Sequence, residues 1–370
     1  MGFNSIDDIL AIRTACGTFG VTCLAMLVFA FLGQIVFVLV KLYALRGVPL
    51  AAVKTTTSTQ HSIDHNVRHL GIIMDGNRRY GKRHSTATKG IDAAALRNMR
   101  EVLCSSTEVI DTDSMTRPSF SLAERYNRFL ELIQNTSLDG HRFGGQKLLE
   151  VATYCIEAHI DMLTVYAFST DNWSRPPAEV DALMSLFLFF FSRVRQVALE
   201  RHIFVRFIST EPCRLPTRVV ELMRSVEKET RSLQPRRLVL NICVSYSGQS
   251  EVVAACNRLL ARRLQESASP DAAEVVCTPV TKTELDREML RSITQNEHEA
   301  EDAHVFGRNA TVEPDLILRT SGEQRISNFL LYECAYSEFV FLQKAWPEVT
   351  RGDIIQALCD FARRDKRKGR

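Results

Sequence analysis

Short apolar runs rich in β-branched residues alternate along this chain with amphipathic stretches of helical period, and that alternation constrains the fold more than any other feature. The runs lie at 69–74, 162–168, 203–208, 238–244, 315–318 and 339–342, with helical patterns at 147–158, 179–200, 216–232 and 251–265. Parallel strands need a crossover element to bring the chain back, so helices between strands predict an α/β fold with a central parallel β-sheet flanked by helices. Ligands in such sheets collect beyond the carboxyl ends of the strands, which directs the search for chemistry. Two stretches break the pattern: 85–139, rich in Ser, Thr and Asp, and 294–313, with Glu297, Glu299, Glu301 and Asp302. Both read as surface insertions.

The chain has 370 residues, 45% of them hydrophobic and 24% charged, which excludes a disordered or an all-membrane protein. A net charge of +3 is too small to imply nucleic-acid binding, and no nucleic-acid partner is expected. Its 10 cysteines contain no Cys-x-x-Cys pair and several sit in apolar runs, a pattern of reduced thiols and not of a disulfide framework or a zinc site.

Residues 19–40 carry no charge and only Thr22 and Gln34 as notable polar interruptions. At about 1.5 Å per residue they are long enough to cross a hydrocarbon core of about 30 Å, and they read as one membrane-spanning helix. A buried core helix of that length is the plainer alternative. Asp7 and Asp8 offset Arg13 before the run, whereas Lys41, Arg46 and Lys54 follow it, so the body is expected on the cytosolic side. The organisation is then a flank (1–18), the span (19–40), a tether (41–67) and a body (68–370).

Three motifs carry chemistry. The first, Met74 to Tyr80, is a strand end that turns through Asp75-Gly76-Asn77 and brings Arg78 and Arg79. Backbone N–H groups, guanidiniums and one carboxylate able to hold Mg²⁺ make a diphosphate site, although an ordinary strand-to-helix turn uses the same Gly and Asn. The second, Ala167 to Pro176, delivers Ser169, Asn172, Trp173 and Arg175 at another strand end: donors beside a flat apolar wall, or simply a capped helix start before two prolines. The third, Ile317 to Phe329, sets Arg319 and Arg325 around a glycine turn with Ser327 two residues on, a second anion cradle.

In their order and residues, HLGIIMDGNRRYGK, LTVYAFSTDNWSRPPAEVDALMSLF, LNICVSYSG and PDLILRTSGEQRISNFLLYECAYSEFVF, followed by Trp346-Pro347-Glu348, resemble the successive motifs of the cis-prenyltransferases, the undecaprenyl and dehydrodolichyl diphosphate synthases. The likeness spans 68–370. It implies condensation of isopentenyl diphosphate onto an allylic diphosphate such as farnesyl diphosphate, giving long Z-polyprenyl diphosphates for dolichol synthesis and protein glycosylation.

Carried over residue by residue, the resemblance makes Asp75 the catalytic, Mg²⁺-binding carboxylate and Glu338 a second acidic residue near the metal. It gives Gly76, Asn77, Arg79, Tyr80 and His141 to the allylic diphosphate. It makes Asn172 a catalytic residue that, with Ser169, Trp173 and Arg175, orients the substrates, matches Glu179 to the substrate-binding acidic position that follows, and gives Arg319, Arg325 and Ser327 to isopentenyl diphosphate. The helix containing LMSLFLFFF would line a hydrophobic tunnel for the growing chain, with plain core packing as the alternative for each Phe. The Arg367-Lys368-Gly369 ending resembles the tail with which family members complete a partner's active site, implying a homodimer with catalytic Arg367 and Gly369. A basic tail meeting anionic lipid is the rival reading.

The family's Asn-Tyr-Gly-Gly-Arg stretch is Ser245-Tyr246-Ser247-Gly248-Gln249 here, Tyr80 stands where bacterial members have Trp, and Ser137 where they have Arg. The resemblance to dolichol synthesis places the anchor in the endoplasmic reticulum membrane. A competing reading from another class is a membrane-anchored, non-catalytic subunit of a heteromeric prenyltransferase. A phosphatase or nucleotide-binding reading lacks a cysteine nucleophile loop or a Walker-type glycine-lysine motif.

Overall fold

The computed structural model describes residues 65–84, 138–267, 279–294 and 313–364. The chain divides into two compact units, Met1–Ser62 and Ile63–Arg370, and every described residue belongs to the second. The expected membrane span at 19–40, nearly all of both insertions, Ser137, and the tail with Arg367 and Gly369 lie outside the described residues.

All six expected strands form: β1 (His69–Ile73), β2 (Met162–Ser169), β3 (Ile203–Ile208), β4 (Leu238–Tyr246), β5 (Leu316–Arg319) and β6 (Glu338–Phe341). They build one parallel sheet in the order β3-β4-β2-β1-β5-β6. The helices are α1 (Asn77–His84), α2 (Asp139–Glu157), α3 (Pro177–Arg201), α4 (Thr217–Arg231), α5 (Gly248–Ser267), α6 (Lys282–Glu288) and α7 (Arg351–Ala362). The body starts slightly before the expected 68: Val67 is buried, and the His65 ring pairs Nε2 with the Ala158 carbonyl at 2.8 Å.

Side chains alternate across a strand, so each strand feeds two cores. Leu70, Ile72, Leu163, Val165, Leu240 and Leu318 face one core with α2, α3, α4 and α7, while Ile73, Ile317, Cys243 and Tyr246 face a second with Phe329 and Leu330. Burial on both sides is why these strands read as nearly unbroken apolar runs. The polar exceptions pair with one another. Thr164 Oγ1 lies 2.7 Å from His69 Nε2 and accepts from Asn241 Nδ2 at 2.8 Å, and Asn241 Oδ1 accepts from buried Arg206 at 3.2 Å.

In α3, Phe187 and Phe191 stack at 5.2 Å inside the core, and Leu188, Phe189 and Phe190 pack at its edge. The side chains expected along a tunnel are thus in contact with one another and with the sheet. β1 and β5 are neighbours, yet the chain leaves β1 toward β2 and leaves β5 toward β6. That divergence opens a crevice beyond their carboxyl ends, the switch point where doubly wound sheets bind ligands.

Candidate active site

Asp75 sits two residues past β1, at that crevice. Its N–H donates to Thr320 Oγ1 at 2.9 Å, its carbonyl accepts from Thr320 Oγ1 at 2.7 Å and from the Trp346 N–H at 2.9 Å. Gly76 follows with φ +93°, and a Cβ there would lie 2.7 Å from Ser321 Oγ, so only glycine fits the turn. The turn therefore holds the carboxylate at one place and one angle.

That carboxylate is met by positive groups. Oδ2 accepts from Arg319 Nη2 at 2.9 Å and Oδ1 from the Gly76 N–H at 2.6 Å. Arg319 is 3% exposed, and its Nη1 donates to Ser327 Oγ at 2.8 Å and to the Arg325 carbonyl. Arg79 is different. Its contacts to Asp75, Glu323 and the Ser321 carbonyl are all 3.4 Å and half-exposed, and Arg325 pairs with Glu323 at the surface. Exposed pairs of that kind contribute only about 0.2–1 kcal/mol, so Arg79 and Arg325 can leave them for a diphosphate while Arg319 stays fixed.

α1 and α2 form the adjoining wall. A Cβ at Gly140 would lie 1.9 Å from the Asn77 carbonyl oxygen, and one at Gly144 would lie 2.2 Å from Asn77 Oδ1, so two glycines bring the helices together. Asn77 Nδ2 donates to the Met74 carbonyl at 3.2 Å, while its Oδ1 is buried without a partner. His141 Nε2 is likewise buried and unpartnered. Burial, with the Arg175 and Arg78 guanidiniums beside it, pushes the imidazole down to about 3, so it is neutral at physiological pH. Arg175 and Arg78 share buried Glu179, at 3.4 and 3.6 Å. Burial pushes Arg175 down from its ordinary value, and Glu179 opposes the shift.

The second motif closes the other side. The Ser169 N–H donates to Asn172 Oδ1 at 3.2 Å across a 3₁₀ turn, and Trp173 Nε1 donates to Ser245 Oγ at 2.9 Å. Trp173 packs edge-on against Phe168 and lies under Arg214. Tyr80 stacks on His84 at 4.0 Å, near Phe143.

The structure thus gathers Asp75, Gly76, Arg79, Arg319, Arg325 and Ser327 in one cluster, and Asn77, His141, Arg175 and Glu179 in its neighbour. Glu338 is not brought to Asp75. It begins β6, paired in register with Leu316 at the opposite end of β5 from Arg319, and its carboxylate accepts from Arg364 at 2.7 Å. Sequence reasoning missed the roles of Thr320, which pins the Asp75 turn, and of Arg78 beside His141. The signal for Arg78 was its place within the first motif.

Among the described residues no three His, Cys, Asp or Glu side chains are grouped to hold a metal. Mg²⁺ needs no such cage, since it commonly takes one or two carboxylates and completes its shell with phosphate oxygens and water. Asp75, 30% exposed and facing a crevice of guanidiniums, fits an ion carried in with a diphosphate.

Comparisons with known proteins agree with this geometry. Residues 123–369 match the undecaprenyl diphosphate synthase family of prenyltransferases. An isoprenyl transferase of Thermus thermophilus is 34% identical over 306 residues, covering 82% of this chain and 89% of that one. Dehydrodolichyl diphosphate synthase 2 of Arabidopsis thaliana is 35% identical over 231 residues, 62% of this chain and 66% of its own. In fold, the chain is similar to lavandulyl diphosphate synthase from Lavandula x intermedia, solved with dimethylallyl diphosphate, with a TM-score of 0.58, 20% identity, and coverage of 83% of this chain and 99% of that one. Cis-prenyltransfer, the synthesis of prenyl diphosphates, is the activity that the family match and these sequence relatives support. The chain belongs to the cis-prenyltransferase family.

Proposed function

We propose that this chain is a Mg²⁺-dependent polyprenyl diphosphate synthase that adds isopentenyl units to an allylic starter, farnesyl diphosphate, to make a dehydrodolichyl-type product. The observation that carries this reading is the buried Arg319 fork, which joins Asp75 to Ser327 and the Arg325 carbonyl and so ties two anion cradles into one site.

The reaction needs positive charge on a leaving diphosphate and no nucleophile near the allylic cation. Arg79, Arg78 and Arg175 supply that charge. Asn77 Oδ1 and neutral His141, both lacking partners, are free to orient the allylic substrate and its waters. Asp75 would hold Mg²⁺, which when bound would add positive charge beside the leaving diphosphate. Arg319, Arg325 and Ser327 hold isopentenyl diphosphate so that its double bond meets the allylic carbon as the C–O bond breaks. Loss of a proton then sets the new Z double bond. Trp173, packed on buried Phe168, gives the tail an apolar wall.

Three further points belong to the same proposal and rest on sequence: a single-pass anchor at 19–40 in the endoplasmic reticulum membrane with a cytosolic body, a homodimer completed by Arg367 and Gly369, and a product used for glycosylation. The test is an assay of the full chain alone in detergent with Mg²⁺, farnesyl diphosphate and radiolabelled isopentenyl diphosphate. Long Z-polyprenyl products support the reading. Activity that appears only after a second polypeptide is added favours the heteromeric alternative.

A further inference from the structure

The segment beyond Arg319 places three non-glycine residues in the left-handed region close together: Ser327 at φ +48°, Asn328 at φ +63° and Leu330 at φ +47°. L residues rarely adopt this conformation, so the surroundings must hold it. The segment matters because Ser327 Oγ and the Arg325 carbonyl are the acceptors that aim Arg319. At its far end, Phe329 and Leu330 are buried in the second core.

At its near end the grip comes from Asn328. Its carbonyl accepts from the Gly248 N–H at 2.8 Å, its Oδ1 accepts from the Gln249 N–H at 2.9 Å, and its Nδ2 donates to Ser247 Oγ at 2.7 Å. The first N–H groups of a helix have no partner within it. Asn328 therefore caps α5 from 79 positions away. Gly248 permits the approach: a Cβ there would lie 2.8 Å from the Leu331 N and 2.9 Å from the Asn328 carbonyl oxygen. Ser247, one of the positions where this chain departs from its family's pattern, supplies the third acceptor and also accepts from the Ser250 N–H at 3.3 Å. Asn is also the non-glycine residue best suited to φ above zero while keeping both a donor and an acceptor.

We propose that Asn328 is a positioning residue for the isopentenyl diphosphate half of the site: by capping α5 and bonding Ser247, it locks the left-handed segment whose Ser327 and Arg325 acceptors orient Arg319. The proposal rests on the functional reading above and adds to it a residue that acts through Arg319 without touching substrate. It also predicts a one-sided effect, because the bonds of Asn328 run to Ser247, Gly248 and Gln249 at the start of α5.

The test is calorimetric binding of isopentenyl diphosphate and of farnesyl diphosphate to the full chain in detergent, with KM and kcat for each. Asn328→Gly deletes the side chain at no conformational cost to a positive φ. It is expected to weaken isopentenyl diphosphate binding about 10-fold and raise the matching KM, with farnesyl diphosphate within about two-fold and kcat at saturation little changed. Asn328→Asp keeps the acceptor for Gln249 and is expected to lose only about three-fold, as is Ser247→Ala. Adding Ser247→Ala to Asn328→Gly should cost less than Ser247→Ala costs alone, since the bond the two share is already gone and only the Ser250 N–H contact remains to be lost. Should Asn328→Gly fail to fold, Asn328→Asp and Ser247→Ala carry the same one-sided expectation. Equal weakening of both diphosphates, unchanged binding, or an additive double variant overturns the positioning role while leaving the functional reading intact. A wild-type chain that binds neither diphosphate overturns both.

Discussion

Arg319 Nη2 donates to Asp75 Oδ2 at 2.9 Å from a position only 3% exposed, so the site's principal carboxylate and its principal guanidinium are fixed by each other. Removing one member of such a pair leaves the other charge uncompensated, which is more harmful than loss of an exposed pair. Arg319→Ala is expected to raise KM for isopentenyl diphosphate about 10- to 100-fold, in keeping with the strength of charge-assisted hydrogen bonds. Arg319→Lys should recover little, because one ammonium cannot reach Asp75, Ser327 and the Arg325 carbonyl with the geometry of a planar fork. Steady-state kinetics against each substrate separately checks both.

The α1–α2 contact allows a steric prediction. Gly140→Ala sets a methyl 1.9 Å from a backbone oxygen of Asn77, so α1 must move, at a cost of about 1–3 kcal/mol. The nearest atoms to a Cβ in Gly144→Ala are side-chain ones, Asn77 Oδ1 at 2.2 Å and Trp346 Cδ1 at 3.1 Å. This variant should therefore melt closer to wild type, yet still raise KM for the allylic diphosphate by turning Asn77 Oδ1. Thermal melts beside KM values separate the two.

His141 gives an acid-side prediction. Its folded value of about 3 lies below the ordinary histidine value of about 6.5. Between those limits the unfolded chain takes up a proton that the folded chain refuses, so acidification through this window removes stability. In His141→Gln that part of the pH dependence should vanish, seen as a flatter plot of urea midpoint against pH. Parallel plots for the two proteins would count against a buried neutral imidazole.

Glu333 gives the opposite sign. It is buried in the second core, and burial together with the nearby Glu251 carboxylate pushes it up to about 9. The folded chain keeps a proton that the unfolded chain releases above about 4.3, so this contribution is lost as pH rises toward 9. Glu333→Gln, neutral at every pH, should raise the melting temperature at pH 8 and leave it nearly unchanged at pH 4.5.

Much of the fold is legible in the sequence. All six strands and the main helices follow from apolar period, and the Asp75 and Arg319 turns follow from charge placed after a strand. Partnership was not readable. Nothing in the sequence says that Thr320 pins Asp75, that Arg78 shares Glu179 with Arg175, or that Asn328 caps a helix begun at Gly248, since these contacts join segments brought together only by sheet order. Glu338 shows the same limit: its motif suggested nearness to Asp75, whereas the register of β5 and β6 sets it at the other end of the sheet. Length of an apolar stretch is also ambiguous, for α3 runs 25 residues and is apolar enough to cross a membrane, yet it packs into the core.

Replacing Asp75 by Asn keeps the turn and its shape but deletes the charge. Diphosphate binding by calorimetry and product formation with Mg²⁺ should then separate: both diphosphates still bind within about 10-fold, while kcat falls by about a thousand-fold or more, the scale of removing one electrostatic stabiliser from a transition state. An Asp75→Asn chain that elongates farnesyl diphosphate at near wild-type rates would contradict the account at its centre.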